Sequence, residues 1–90
     1  MANVVLPNSL TELFPGIPRR VDLEATSVQE VVDQLDTKFP GMRNRICDLQ
    51  GAATTIRRHL LIFVDDERST LATPVSPTSE VRIVPALSGG

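Results

Sequence analysis

Aromatic residues and cysteines are scarce in this chain of 90 residues, and each scarcity excludes a class of function. Three Phe are present without Trp or Tyr, so the core must be aliphatic and a surface that stacks nucleic-acid bases is not expected. The single cysteine excludes an internal disulfide and favours a reducing, cytoplasmic setting. No apolar run approaches the roughly 18 residues that a transmembrane helix requires.

Strong positive charge and the usual catalytic patterns are also missing. A formal net charge of -2 argues against nucleic-acid binding, since modules of that kind are normally basic. The chain has one His and one Cys, and no phosphate-binding glycine loop, metal-ligand spacing or catalytic triad spacing is found. We therefore predict no catalytic residue, no metal site and no bound cofactor. The first ten residues lack a signal-peptide pattern, so neither secretion nor membrane association is expected.

The clearest secondary-structure signal is an amphipathic helix over residues 28–38. Ser27 stands three residues before Glu30, the capping-box spacing that satisfies free amides at a helix start. Pro40-Gly41 ends the helix. Apolar residues follow at helical spacing and predict one buried face, formed by Val28, Val31, Val32, Leu35 and Phe39.

Strands are predicted on both sides of this helix. Val21 and Leu23 alternate with polar residues, which is typical of a half-buried strand. Asp65-Asp66 is interpreted as a turn, Met42 to Ile46 as a short helical turn and residues 47–58 as a loop. The other predicted strands are 3–6, 59–64, a short edge strand at 71–73, and 80–84. This order predicts an α+β domain with a mixed sheet of four to five strands and one main helix across one face.

The chain ends in Gly89-Gly90, directly after the last predicted strand and a short connecting segment. Residues 1–84 are therefore interpreted as the folded domain and 85–90 as a flexible tail. Six extended residues span roughly 20 Å at about 3.3–3.6 Å per residue, and glycine lets a chain end pass through a narrow channel. The tail is thus long enough to carry its terminal carboxylate into the active site of a partner.

The order of elements and the ending Val81-Arg82-Ile83-Val84-Pro85-Ala86-Leu87-Ser88-Gly89-Gly90 resemble the ubiquitin-like β-grasp sulfur carriers. That family includes the small subunit of molybdopterin synthase, the thiamine sulfur carrier and a sulfur carrier of cysteine biosynthesis. The tail and the 47–58 segment are most similar to the cysteine-pathway carrier. One departure is Thr78-Ser79, which stands where family members often have Gly-Asp before the last strand.

The resemblance implies a chemistry for the tail. A ubiquitin-activating-type partner enzyme would use ATP to adenylate the Gly90 carboxylate, and a sulfur source would convert it to a thiocarboxylate. A synthase would then accept the sulfur. The chain would be a co-substrate and not an enzyme, and a monomer when free.

Further roles follow for the tail and for one surface. Gly90 would carry the sulfur, while the residues before it would thread the partner's active site: Pro85, Ala86, Leu87, Ser88 and Gly89. The resemblance and the apolar run at residues 60–64 predict a partner surface formed by Leu61, Phe63 and Leu87. Leu87 packing on its own domain is an equal alternative.

Other functions stay open at this level. A ubiquitin-like modifier would use the same activated Gly90 to form an isopeptide bond with lysine, and an inert tail would leave a plain interaction domain. Cys47 is interpreted as a small buried residue and His59 as a surface or strand-edge residue. Arg19-Arg20 and Arg57-Arg58 are interpreted as solvated pairs, with the alternative that Arg57-Arg58 steers an acidic partner.

Overall fold

The computed structural model describes residues 1–50 and 53–86 of the chain. Its strands are β1 Ala2–Val5, β2 Arg20–Leu23, β3 Cys47–Gln50, β4 Ala53–Ile56, β5 Leu60–Val64, β6 Glu67–Arg68 and β7 Glu80–Pro85. The helices are α1 Asn8–Thr11, α2 Val28–Lys38 and α3 Met42–Ile46. No helix in the described ranges is both long enough and apolar enough to cross a membrane.

Five strands form one mixed sheet in the order β2-β1-β7-β5-β6. β1 is antiparallel to β2 and parallel to β7, and β7 is antiparallel to β5. β3 and β4 form a separate two-stranded hairpin. The predicted α+β layout, a mixed sheet with one main helix over one face, is confirmed and is the β-grasp arrangement.

The core lies between the sheet and α2. Every second residue of β1, β2, β5 and β7 is buried, as the side-chain alternation of a strand requires. Of the five side chains predicted to form the buried face of the helix, four are fully buried. The fifth, Phe39, is partly buried and packs against the core. The buried helical residues are Val28, Val31, Val32 and Leu35.

The predicted helix bounds are confirmed because the capping residues are in place. The Ser27 hydroxyl accepts a hydrogen bond from the Glu30 amide at 3.2 Å. The Glu30 carboxylate accepts one from the Thr26 amide at 2.8 Å, one residue earlier than in the standard capping box. The first bond satisfies an amide that a helix start leaves unbonded, and the second holds the residue before the N-cap against the first turn.

Two predictions about the second half of the chain are wrong. Residues 47–58 are not a loop: β3 and β4 pair there, and the hairpin shows no alternating pattern because it buries almost no face of its own. Residues 71–73 are not a strand, because two of their carbonyls bond to the start of α2 instead. Leu71 accepts a hydrogen bond from the Gln29 amide, and Thr73 accepts one from the Val28 amide. The short strand beside β5 is β6.

The loops around β7 explain two further sequence features. Asp65 and Asp66 have φ of 50° and 69°, which suits the tight turn predicted there between β5 and β6. The departure at Thr78-Ser79 still forms a turn, because the buried Ser79 hydroxyl accepts from the Ser76 amide at 3.0 Å. Helix α1 was not predicted; its main contribution is the buried Leu10.

Removing the Leu35 side chain should strongly destabilise the domain. Leu35 is fully buried, and a buried Leu→Ala change costs on the order of 2–5 kcal/mol. Leu49→Ala is the matched control because Leu49 is 70% exposed, and surface changes stay within about 0.5 kcal/mol. Urea denaturation measures both. Equal free energies of unfolding for the two variants would contradict the packing described.

The serine turn before β7 should also contribute measurably to stability. Ser79→Ala removes the acceptor of the Ser76 amide and should lower the free energy of unfolding by about 1 kcal/mol. Thr78→Ala in the same turn is the control, since Thr78 is exposed and contacts only the Ser76 hydroxyl. The same denaturation measurement compares them, and a Thr78 change as costly as the Ser79 change would refute this role.

Candidate functional site at the tail exit

The tail leaves the domain from the centre of the sheet. β7 lies between β1 and β5, and its last residue, Pro85, stands opposite Leu60. The next residue, Ala86, is still bonded to the sheet, because its amide donates a hydrogen bond to the His59 carbonyl at 2.8 Å. Pro85, assigned to the tail on sequence, is therefore the final residue of β7.

Proline is tolerated at this place for a local reason. β1 pairs with β7 only as far as Val5 opposite Arg82, so Pro85 has a strand neighbour on one side alone. The hydrogen bond to β5 beyond this pair is made by Ala86 instead. A residue without an N–H group consequently costs the sheet little here. Leu87, Ser88, Gly89 and Gly90 lie outside the described residues.

The sheet face opposite α2 carries the predicted partner residues. We call it the uncovered face; its outward residues are Asn3, Val5, Arg20, Asp22, Leu61, Phe63, Arg68, Glu80, Arg82 and Val84. Leu61 and Phe63 alternate with the buried residues of β5 and are half-buried. Leu61 stands directly opposite Val84, so the two side chains lie about 4.5–5.5 Å apart at their Cβ atoms. We call Leu61, Phe63 and Val84 the apolar strip. It begins at Val84, one residue before the end of β7.

Arginines and apolar residues alternate across the uncovered face. In strand register, one row runs over all five strands from β2 to β6: Arg20, Val5, Arg82, Phe63 and Arg68. A neighbouring row holds Asp22, Asn3 and Glu80. The uncovered face thus presents apolar side chains between positive charges, with negative charges on the side away from the tail.

Polar contacts fix part of this pattern. Arg82 donates to the Glu80 carboxylate at 2.8 Å, and Arg20 lies 3.9 Å from the same carboxylate. Arg20 also donates to the Asn3 side-chain oxygen at 2.9 Å, and Asn3 donates to Asp22 at 3.0 Å. These groups are exposed, so each ion pair adds at most about 1 kcal/mol to stability. Their main effect is to hold two guanidinium groups in place.

A depression of about 580 Å³ lies beside the tail exit, between α1 and the strands. Val84 and Pro85 of β7 line it together with Arg19, Arg20 and Arg82. The depression joins the base of the tail to the positive part of the uncovered face. Basic and apolar groups therefore lie next to the point where the tail leaves the domain.

The residues given structural roles on sequence take those roles. Cys47 is 5% exposed, and burial raises the pKa of its thiol, with Arg43 as a smaller opposing influence. A buried, protonated thiol is a poor nucleophile, as expected for a packing residue. His59 is exposed next to β5 and contributes its backbone carbonyl to the tail. No group of metal-binding residues occurs within the described ranges.

Sequence reasoning missed the arginine row. Arg82 and Val84 alternate with Val81 and Ile83 along the sequence, so their outward direction could have been predicted from the strand pattern alone. Their position next to Phe63 and Leu61 was not readable, because it depends on the register between β5 and β7.

Solved structures with the same fold cover essentially the whole chain. Mycobacterium tuberculosis CysO, an antigen, is 24% identical with a TM-score of 0.85, over 97% of this chain and 100% of its own. The BexX/CysO complex of Amycolatopsis orientalis contains a chain that is 22% identical with a TM-score of 0.82, over 100% of both chains. Small archaeal modifier protein 1 of Methanosarcina acetivorans is 21% identical with a TM-score of 0.78, over 99% of this chain and 95% of its own.

At these identities the structural likeness establishes the ubiquitin-like β-grasp fold alone. None of the curated proteins matches the chain significantly in sequence. The ThiS family, in contrast, matches residues 4–90, which is nearly the full length and includes the tail. The chain therefore belongs to the ThiS family, and its fold is the ubiquitin-like β-grasp.

Proposed function

We propose that this chain is a sulfur carrier that works through its terminal carboxylate. A Gly90 carboxylate oxygen attacks the α-phosphate of ATP, and pyrophosphate leaves. Sulfide, or a sulfur donor equivalent to it, then attacks the acyl carbon, and AMP leaves with the bonding electrons. The product is a C-terminal thiocarboxylate, whose sulfur passes to a small-molecule acceptor on a synthase.

The observation that carries this proposal is the placement of the tail. The chain is held by β-sheet hydrogen bonds up to Ala86, and only four residues of the sequence follow. A short segment that starts from a rigid strand can present its end at a fixed distance from the domain. Family membership over residues 4–90 supports the same use of the tail.

In this mechanism the chain is a co-substrate, and the activating partner holds the ATP. Gly89 and Gly90 keep the tail narrow, and Pro85, Ala86, Leu87 and Ser88 lead it into the partner. The apolar part of the uncovered face, with Leu61 and Phe63, would hold the same partner, and Leu87 would add an anchor. A cytoplasmic location goes with this proposal because ATP drives the first step and Cys47 is an unpaired thiol.

Cysteine biosynthesis is the pathway we favour for the sulfur. The likeness to two CysO chains extends over 97–100% of this chain, which motivates the choice. A role as the small subunit of molybdopterin synthase is the alternative within sulfur transfer. Incubation of the thiocarboxylate form with candidate synthases would distinguish them by the product that gains sulfur.

Protein modification is the second candidate function. The likeness to small archaeal modifier protein 1 favours it, because that protein has the same fold and is named as a modifier. In modification, a lysine amine would attack the acyl carbon of the adenylated Gly90, which forms an isopeptide bond and releases AMP. A blot of cell extract for this chain distinguishes the two functions: a ladder of conjugates indicates modification, and a single free species with a thiocarboxylate indicates sulfur transfer.

Extension of the chain beyond Gly90 should abolish sulfur loading. One added alanine converts the Gly90 carboxylate into a peptide bond and moves the terminal carboxylate one residue further out, next to a methyl group. Deletion of Gly90 should act similarly by shortening the tail. Neither change touches the core, so the thermal unfolding midpoint should stay the same. Intact mass after incubation with ATP, sulfide and the activating enzyme measures loading, since sulfur replaces oxygen. Loading of the extended chain without prior trimming would refute the carrier mechanism.

A charge placed in the apolar strip should weaken the complex with the activating enzyme. Phe63→Asp buries a carboxylate against the partner and should cost roughly 2 kcal/mol or more of binding free energy, as at interface hot spots. Leu49→Asp, on the exposed β3–β4 hairpin, is the matched control and should bind normally. Titration calorimetry measures binding, and circular dichroism checks the fold. Equal affinity of both variants would remove Phe63 from the interface.

A further inference from the structure

Strand β2 lies at the end of the five-stranded sheet and pairs with β1 on one side. The Leu6 amide donates to the Arg19 carbonyl, and the Asn3 amide, opposite Asp22, points away from β2 and bonds to the turn before β7. Because backbone direction alternates along a strand, Arg20 and Asp22 direct their amides and carbonyls to the outer side of β2. These groups make no hydrogen bond within the described part of the chain. We call the outer side of these two residues the β2 edge.

The β2 edge is exposed to solvent. Both of its residues are exposed, and the Arg20 side chain keeps 61% of its surface in water. Helix α2 reaches the strand further along, where the Gln34 side chain donates to the Glu24 carbonyl. The backbone groups of Arg20 and Asp22 are therefore accessible to a further strand.

Charges of both signs stand next to each other on the β2 edge. Arg20 ends the arginine row of the uncovered face, and Asp22 ends the neighbouring row that holds Asn3 and Glu80. Arg20 donates to Asn3 through Nη1, and Asp22 accepts from Asn3 through Oδ1. A guanidinium has further donors and a carboxylate further acceptor positions. Both side chains therefore have the capacity to bind a partner beyond β2.

We infer that the β2 edge binds the β2 edge of a second copy of this chain, as an antiparallel strand pair about a two-fold axis. In the register that places Val21 opposite Val21 of the second copy, Arg20 of each copy stands opposite Asp22 of the other. The outward backbone groups of each such pair meet, so each pair exchanges both of its N–H···O bonds. The guanidinium and the carboxylate of each pair also lie together on the uncovered face, where they form a charge-assisted contact.

The charges select this register. Side chains alternate in direction, so the smallest shift that keeps the outward groups opposite one another is about two residues. Such a shift places Arg20 opposite Arg20 in one direction and Asp22 opposite Asp22 in the other, and like charges directly opposite are destabilising. In the selected register the pairing ends where Glu24 faces Pro18, which has no amide to donate. The Glu24 carbonyl does not need that donor, because it already accepts from Gln34.

The pair also explains why the uncovered face has an arginine row beside an acidic row. The acidic row of one copy continues into the arginine row of the other, in the order Glu80, Asn3, Asp22, then Arg20, Val5, Arg82. Opposite potentials thus meet along the contact, which favours this arrangement of the two copies. On the α2 side of the sheet, Val21 meets Val21 of the second copy and adds a small apolar contact.

The dimer should be weak, because a contact between strands of four residues is smaller than a standard interface of about 1,200–2,000 Å². In dilute solution the chain is then a monomer, as its resemblance to sulfur carriers implies. The tails remain accessible in the dimer, since β7 is separated from the contact by β1 and β2. The strand pair therefore does not depend on sulfur loading of Gly90.

Sedimentation equilibrium of the full chain from about 10 µM to about 1 mM measures the dimer. Arg20→Glu and Asp22→Arg each place like charges opposite one another, so each should raise the dissociation constant at least about tenfold, equivalent to about 1.4 kcal/mol. An equal mixture of these two variants should recover the dimer, because each new charge then faces its opposite. Arg68→Glu is the matched control at the far end of the same row, and it should change the constant less than about twofold.

Amide hydrogen exchange followed by NMR tests the backbone geometry. The amides of Arg20 and Asp22 should exchange more slowly as the protein concentration rises. The amides of Val21 and Leu23 should stay unchanged, because they point towards β1 in either state. Added salt should weaken the dimer, since its charged groups are partly exposed.

Several results would overturn the strand pair. A chain that stays monomeric at about 1 mM, a mixture that fails to recover the dimer, or an equal loss in Arg68→Glu would each do so. Exchange that slows without alternation along β2 would also contradict it. Self-association that Phe63→Asp removes and Arg20→Glu leaves intact would place the contact on the apolar strip instead. Sulfur loading of Gly90 is measured separately by intact mass, so the two proposals fail independently.

Discussion

The pairing of β7 with both β1 and β5 is the interaction on which the rest of this structure depends. Its inward residues Val81 and Ile83 are fully buried in the core. Its outward residues Arg82 and Val84 form the middle of the uncovered face, and its last residue leads into the tail. The same strand therefore contributes to the core of the domain and forms the base of the tail.

The single long helix leaves one face of the sheet uncovered. α2 covers one face of the sheet, and the side chains buried between them form the one hydrophobic core that a small domain needs. The other face keeps Leu61 and Phe63 half-exposed next to the tail. Apolar surface left partly in water is available to stabilise a complex, because its burial is still favourable. The fold thus buries one face of the sheet in the core and leaves the other face available to the proposed partner.

Charge is distributed in the same uneven manner. The exposed side of α2 carries carboxylates, two of which are engaged by Arg43. Arginines collect instead on the uncovered face, where Arg20, Arg82 and Arg68 lie in one row. The small negative net charge of the whole molecule therefore does not describe this face. Such local fields guide association with acidic surfaces more than the net charge does.

Local signals were sufficient for much of the architecture. The capping box at Ser27 and Glu30 and the helical spacing up to Leu35 gave the bounds of α2, because a helix is stabilised by neighbours in sequence. Alternation gave the directions of Val21 and Leu23, and the Asp65-Asp66 pair gave the turn after β5. The Gly-Gly end and its resemblance to sulfur carriers gave the candidate chemistry.

Tertiary structure decided what depends on pairing between distant residues. The β3–β4 hairpin had no alternation to reveal it, and Leu71 and Thr73 became partners of the α2 amides instead of a strand. The arginine row depends on strand register, which places Arg82 and Arg68 on either side of Phe63. Side-chain pattern specifies which way a residue points. Only the packed chain specifies which residue from another strand lies beside it, since that contact is fixed by the fit of the whole core.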